Sequence, residues 1–178
     1  MPRRVLILPS WGKAANVTLK ELDPIIAQEA GKLNAFEVIP IPPTQAMNYR
    51  SDQEFTLEEG RALAKKYAAD GILLCRVTSS QPHKPIVLGV GLRLWNVPLD
   101  TTVWAVDEVL DSQLTLVANG AREYYLTKFR ESYPGRRSEK ILESPDMFYQ
   151  YVFYKLFSTF PLKSSQNKHK GDDTIHPK

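Results

Sequence analysis

The chain has 178 residues, of which 43% are hydrophobic, 24% charged and 10% aromatic, with a formal net charge of +3. That length suits one domain with a sizeable core, and the composition excludes a collagen, a wholly disordered chain and a disulfide scaffold. The excess charge is local: residues 163–178 hold four lysines against two aspartates, which leaves 1–162 close to neutral.

In chain order, Val5-Leu6-Ile7-Leu8-Pro9 is a short continuous apolar run and predicts a buried first strand. Ser10-Trp11-Gly12-Lys13 reads as a turn. A helix follows. Thr18 and Glu21 have capping-box spacing, but Asp23-Pro24 offers a later start that keeps proline out of the helix interior, and the later start is expected. Phe36–Ile41 predicts a second strand, stopped by Pro42-Pro43, and residues 43–54 a polar loop with Met47 and Tyr49. Thr56-Leu57-Glu58-Glu59 is a capping box opening a helix with Leu63, Ala64, Tyr67 and Ala68 inward. Asp70-Gly71 closes it, and Ile72–Val77 predicts a third buried strand.

Leu88, Val90, Leu92 and Leu94 alternate with Gly89, Gly91, Arg93 and Trp95, the period of a half-buried strand. A turn at Pro98 and Asp100 leads to a strand over 102–110 with Val103, Ala105 and Val109 expected on one face. Leu114, Val117, Ala121, Tyr124 and Tyr125 mark a helix over about 112–129. Ser144-Pro145-Asp146 starts another that runs to about Phe160, with Phe148, Tyr151, Val152, Leu156 and Phe157 inward. Pro161 stops it.

The order β-α-β-α-β-β-β-α-α predicts a mixed α/β (α+β) fold. It has a mixed sheet of about five strands, helices packed on it in two or three layers, one domain over 1–162, and a flexible polar tail over 163–178.

Catalytic groupings are scarce. Of three histidines, His169 and His176 lie in the tail and His83 in a proline-flanked turn, and the one cysteine, Cys75, sits in an apolar run where a buried, inert thiol is expected. No catalytic, cofactor or metal residues are assigned and no cofactor is expected. Asp107 and Glu108 point to opposite faces of their strand and cannot act as a carboxylate pair. Gly89-Val90-Gly91 lacks the third glycine and the following helix of a dinucleotide fingerprint. Alternating glycines instead suggest close approach of a backbone or a large side chain such as Trp104. The last helix carries more aromatics than one buried face needs, so Tyr149, Phe153 and Tyr154 are expected to form a partner surface. Loops beyond the carboxyl ends of parallel strands are favoured ligand positions, which adds Trp11, Lys13, Tyr49 and Arg50 as candidates.

The phrases Val5-Leu6-Ile7-Leu8-Pro9, Phe36-Glu37-Val38-Ile39-Pro40, Ala69-Asp70-Gly71-Ile72-Leu73-Leu74-Cys75-Arg76-Val77-Thr78, Leu88–Asn96 and Val103-Trp104-Ala105 occur in one order. Together they resemble bacterial envelope lipoproteins with a fold like the TolB amino-terminal domain, the group of the curli-secretion component CsgG and the penicillin-binding-protein activator LpoB. The resemblance covers about residues 4–112. Pro98-Leu99-Asp100-Thr101 replaces the group's hairpin glycine, and these residues include no lipid-bearing cysteine. The resemblance implies a non-enzymatic protein-binding or assembly module of the cell envelope. Its partner would be another envelope protein or a second copy of itself, and membrane contact would come only through a lipid anchor absent from this chain. Such a protein is periplasmic, with outer-membrane anchoring, if a signal precedes Met1, and cytoplasmic otherwise.

Two other readings stand beside this one. One is a small-ligand-binding protein or enzyme using the loops after the first two strands. The other is nucleic-acid binding through Lys128, Arg130, Arg136, Arg137, Lys140 and the tail. No nucleic-acid partner is expected, because a near-neutral body lacks the basic stripe that such binding needs.

Overall fold

A computed structural model describes residues 1–14, 16–46, 52–129 and 137–162, with Asn16 and Val17 described by their backbone alone. The tail, Arg130 and Arg136 lie outside the described residues.

Strand β1 (Arg4–Ile7) runs between two parallel partners, β3 (Glu37–Pro40) and the start of β4 (Gly71–Gln81). Val5, Leu6 and Ile7 are all buried, because both faces of a central parallel strand are covered. β4 then pairs antiparallel with β5 (Val87–Asn96), and β5 with β6 (Thr101–Asp111). A sixth element, absent from the five-strand expectation, is the two-residue strand β2 (Trp11–Gly12), which pairs with Arg76 and Val77 of β4 beyond the end of β1. The sheet is mixed and open, in the order β3-β1-β4-β5-β6.

Helix α1 spans Asn16–Lys32 and contains Pro24, so the expected start at Asp23-Pro24 is corrected. A proline in a helix interior costs about 3 kcal/mol. The extra turns bury Leu19 and Leu22 completely, each contributing roughly 1.5–3 kcal/mol. Burial therefore outweighs the break. Asp23 caps nothing; its carboxylate accepts from the Ser10 N–H at 2.8 Å. Helix α2 (Leu57–Lys66) has its expected capping box: the Glu59 N–H donates to Thr56 Oγ1 at 3.2 Å, and Glu59 Oε2 accepts from the Thr56 N–H at 2.8 Å. Helix α3 (Thr115–Lys128), a 3-10 turn (Ser138–Leu142) and α4 (Pro145–Phe157) follow among the described residues. α4 begins with proline at its first turn, as expected, and ends three residues earlier than expected.

Side chains divide the interior at the sheet. α1, α3 and α4 cover one face, over Leu88, Val90, Leu92 and Leu94 of β5. The other face holds a smaller core, where α2 brings Leu63 and Ala64 onto Leu6, Leu8, Ile72, Leu74 and Trp95.

The β6 pattern departs from expectation. Val109 is exposed and Ala105 is exposed, while Trp104 and Leu110 are buried. Ala105 and Val109 share one face, opposite Arg93 and Gly89, but Val103 leaves it: Leu94 pairs with Trp104 and Trp95 with Thr102, so Val103 is an extra residue and packs against the larger core. Trp104, opposite the inward-facing Leu94, also faces the larger core. It stacks on Phe157 at 5.6 Å, meets Phe160 edge-on at 5.4 Å, and donates its indole N–H to Thr159 at 3.2 Å. It is not the neighbour of the β5 glycines. A Cβ at Gly91 would lie 2.8 Å from the Asp107 carboxylate, and one at Gly89 would meet the hydroxyls of Thr78 and Ser79.

Candidate functional site

The parallel strands end where β1 turns through the buried Ser10 into β2. The Ile41 N–H donates to the Ile7 carbonyl at 2.9 Å and the Leu8 N–H to that of Leu73 at 3.2 Å, so the chain leaving β1 is held from both sides. Beyond the carboxyl ends of β1 and β3 lies a cleft of about 620 Å³. Its apolar walls come from Ile7, Leu8, Ala27, Pro40 and Ile41, and Asp23 and Lys20 of α1 stand on one side. The four-residue β3 and the prolines after it stop the sheet short here, and α1 bridges the gap.

Burial raises the pKa of Asp23, with two hydrogen bonds from Ser10 acting the other way. Among the described residues, no lysine or arginine nitrogen lies within ion-pair distance of its carboxylate. Ser10 also reaches Cys75, whose thiol is pushed up to about 12 by burial, with Ser10 lowering it and Asp23 raising it. A thiol this far above neutrality holds too little thiolate to act as a nucleophile. His83 is exposed, on the far side of the bulge in β4.

Trp11 has 8% of its surface exposed, and the Arg76 guanidinium sits 5.4 Å from its ring centre. Lys13 is exposed, and its backbone N–H donates to the Val77 carbonyl at 2.8 Å. Tyr49 and Arg50 lie outside the described residues. The aromatic surface on α4 is corrected: Tyr149 and Phe153 are fully buried, and of the three only Tyr154 is exposed, its ring tilted against that of Tyr124 at 4.8 Å. The helix packs against the sheet, α1, α3 and the 3-10 turn, so nearly its whole circumference is core. Surplus aromatics mark an open surface only on a helix with a single covered face, and α4 is not one.

Two further features were not legible in the sequence. Arg76, Gly91 and Asp107 stand in register across β4, β5 and β6, where they line a groove of about 350 Å³ with Trp11 and the ion pair Arg93–Glu54. The other is β6 itself, an edge strand of 11 residues with no strand on its outer side among the described residues. Beside its end lie exposed Val109, Leu114 and Leu116, the last with 87% of its surface exposed. Among the described residues, no group of three His, Cys, Asp or Glu could hold a metal ion, and no helix is long and apolar enough to cross a membrane.

No family model matches the sequence, and no curated protein does. Several solved structures resemble the fold. The PelC dodecamer from Paraburkholderia phytofirmans is 13% identical, with 87% of this chain and 84% of that chain covered and a TM-score of 0.55. Lipoprotein GNA1162 from Neisseria meningitidis is 15% identical over 73% of this chain and 99% of that one, with a TM-score of 0.48. The LpoB C-terminal domain from Salmonella enterica is 11% identical over 62% and 84%, with a TM-score of 0.40. At such identities the likeness to PelC is one of fold.

Proposed function

We propose that the protein is a non-enzymatic assembly module of the bacterial cell envelope that works by associating with further copies of itself. The observation that carries this reading is the open edge of β6. The opposite edge, β3, has four residues and ends at Pro40, with Pro42 and Pro43 just beyond; such short, proline-bounded edges resist pairing. β6 offers 11 residues without proline, and the exposed Leu114 and Leu116 continue the surface. Of its acidic side chains, Glu108 is already paired with Lys155 at 3.5 Å. The fold shared with a protein whose solved form is a dodecamer supports the same reading.

Light scattering on the size-fractionated full chain tests it. A discrete oligomer is expected, dissociated by Leu116→Glu combined with Val109→Lys while the circular dichroism spectrum is kept. A monomer at every accessible concentration overturns self-association. Crosslinking in native envelopes then tests whether a different envelope protein is the partner.

A further inference from the structure

The edge of β6 leaves unexplained the cleft beyond β1 and β3, which is on another side of the molecule. Two observations there point the same way. The walls are almost wholly apolar, built from Ile7, Leu8, Ala27, Pro40 and Ile41, and the volume of about 620 Å³ is that of a small-molecule site. One polar group lies half-buried in that wall with no counter-ion among the described residues: the Asp23 carboxylate, which accepts from the Ser10 N–H at 2.8 Å. Buried charges are normally paired. The position is also the crevice outside the carboxyl ends of parallel strands, where open α/β sheets bind ligands.

We infer that this cleft binds a small organic cation with an apolar body, an alkylammonium or arylalkylammonium, whose nitrogen meets Asp23 while its carbon chain lies over Ile7, Leu8 and Ile41. The inference is independent of self-association at β6. Lys20, one turn before Asp23 on α1, also borders the cleft but is exposed, so its ammonium can turn to water along its flexible stem. Asp23 is half-buried and tied to the Ser10 N–H at 2.8 Å. The fixed charge, not the mobile one, sets the ligand's sign.

The test compares octylammonium, octanoate and octanol binding to the full chain by titration calorimetry. Octylammonium is expected to bind best. Asp23→Asn keeps an acceptor for the Ser10 N–H but removes the charge, and is expected to weaken octylammonium about tenfold or more, the scale of a charge-assisted hydrogen bond. It should leave octanol unchanged. Lys20→Ala is expected to strengthen octylammonium modestly, and Ala27→Leu to weaken all three ligands by filling the cleft. Circular dichroism and denaturant midpoints show whether each variant is folded. Octanoate binding as tightly as octylammonium, an unchanged octylammonium affinity in folded Asp23→Asn, or no binding by any of the three overturns the inference.

Discussion

Gly12 and Val77 lie so close across β2 and β4 that a Cβ at position 12 would sit 2.1 Å from the Val77 carbonyl oxygen. Gly12 also has φ +126°, a conformation that side chains rarely adopt. Both constraints fall on backbone, which cannot move aside as a side chain can. Gly12→Ala is expected to destabilise the fold by about 3 kcal/mol or more, strain and overlap together. Denaturant unfolding measures the loss. A red shift of tryptophan emission in the native state would report that β2 had peeled from β4 and exposed Trp11.

Neighbouring aromatics on α4 should behave oppositely. Phe153→Ala empties a fully enclosed position and is expected to cost about 3–5 kcal/mol. Tyr154→Ala removes a half-exposed ring that lies tilted against Tyr124 and is expected to cost less than about 1.5 kcal/mol. Equal losses would contradict the burial described for this helix.

Much of the fold was legible in the sequence, and the misses share a cause. Thr56 and Glu59 announce α2 because the capping box is local chemistry, closed within four residues. Leu88 to Leu94 announce β5 because period two is a property of one strand. Pro24 misled because its local penalty is overridden by the burial of Leu19 and Leu22 against strands far along the chain. Val103 misled because the shift that turns it towards the larger core depends on how β6 pairs with β5. The candidate site follows the same division. The crevice is predictable from strand order, whereas the burial of Asp23 depends on a bond to Ser10 that no periodicity reveals.

Cys75 offers a direct probe of local opening. With its thiol pushed up to about 12 and its surface closed off, it should resist Ellman's reagent in the native protein. The reaction should become fast in denaturant. Modification at the rate of an exposed thiol under native conditions would show that the strand opens readily.

Asp23 gives the stability a pH dependence of known sign. Its carboxyl titrates above its ordinary value of 3.8 in the folded protein, chiefly through burial. The stabilising contribution of the protonated form is full below that value and is lost as pH rises through the folded pKa. Relative to Asp23→Asn, wild type is expected to be favoured below about pH 4 and to lose ground towards about pH 7. Urea unfolding of both proteins across that range checks the slope. A difference independent of pH would mean that the carboxyl is not desolvated.

The helices that close the larger core come from opposite ends of the chain: α1 precedes the meander, and α3 and α4 follow it. As the protein emerges from the ribosome, the smaller side can pack as soon as Trp95 is out, since α2 and its strands are already made. The larger side must wait for Phe148, Phe153 and Phe157. Until α3 and α4 follow, about sixty residues of synthesis after β5, the nascent chain has only α1 to cover the side that carries Leu88, Val90, Leu92 and Leu94. That interval is when a chaperone has the most to protect, and a stop codon within it yields a sheet with one side permanently short of its helices.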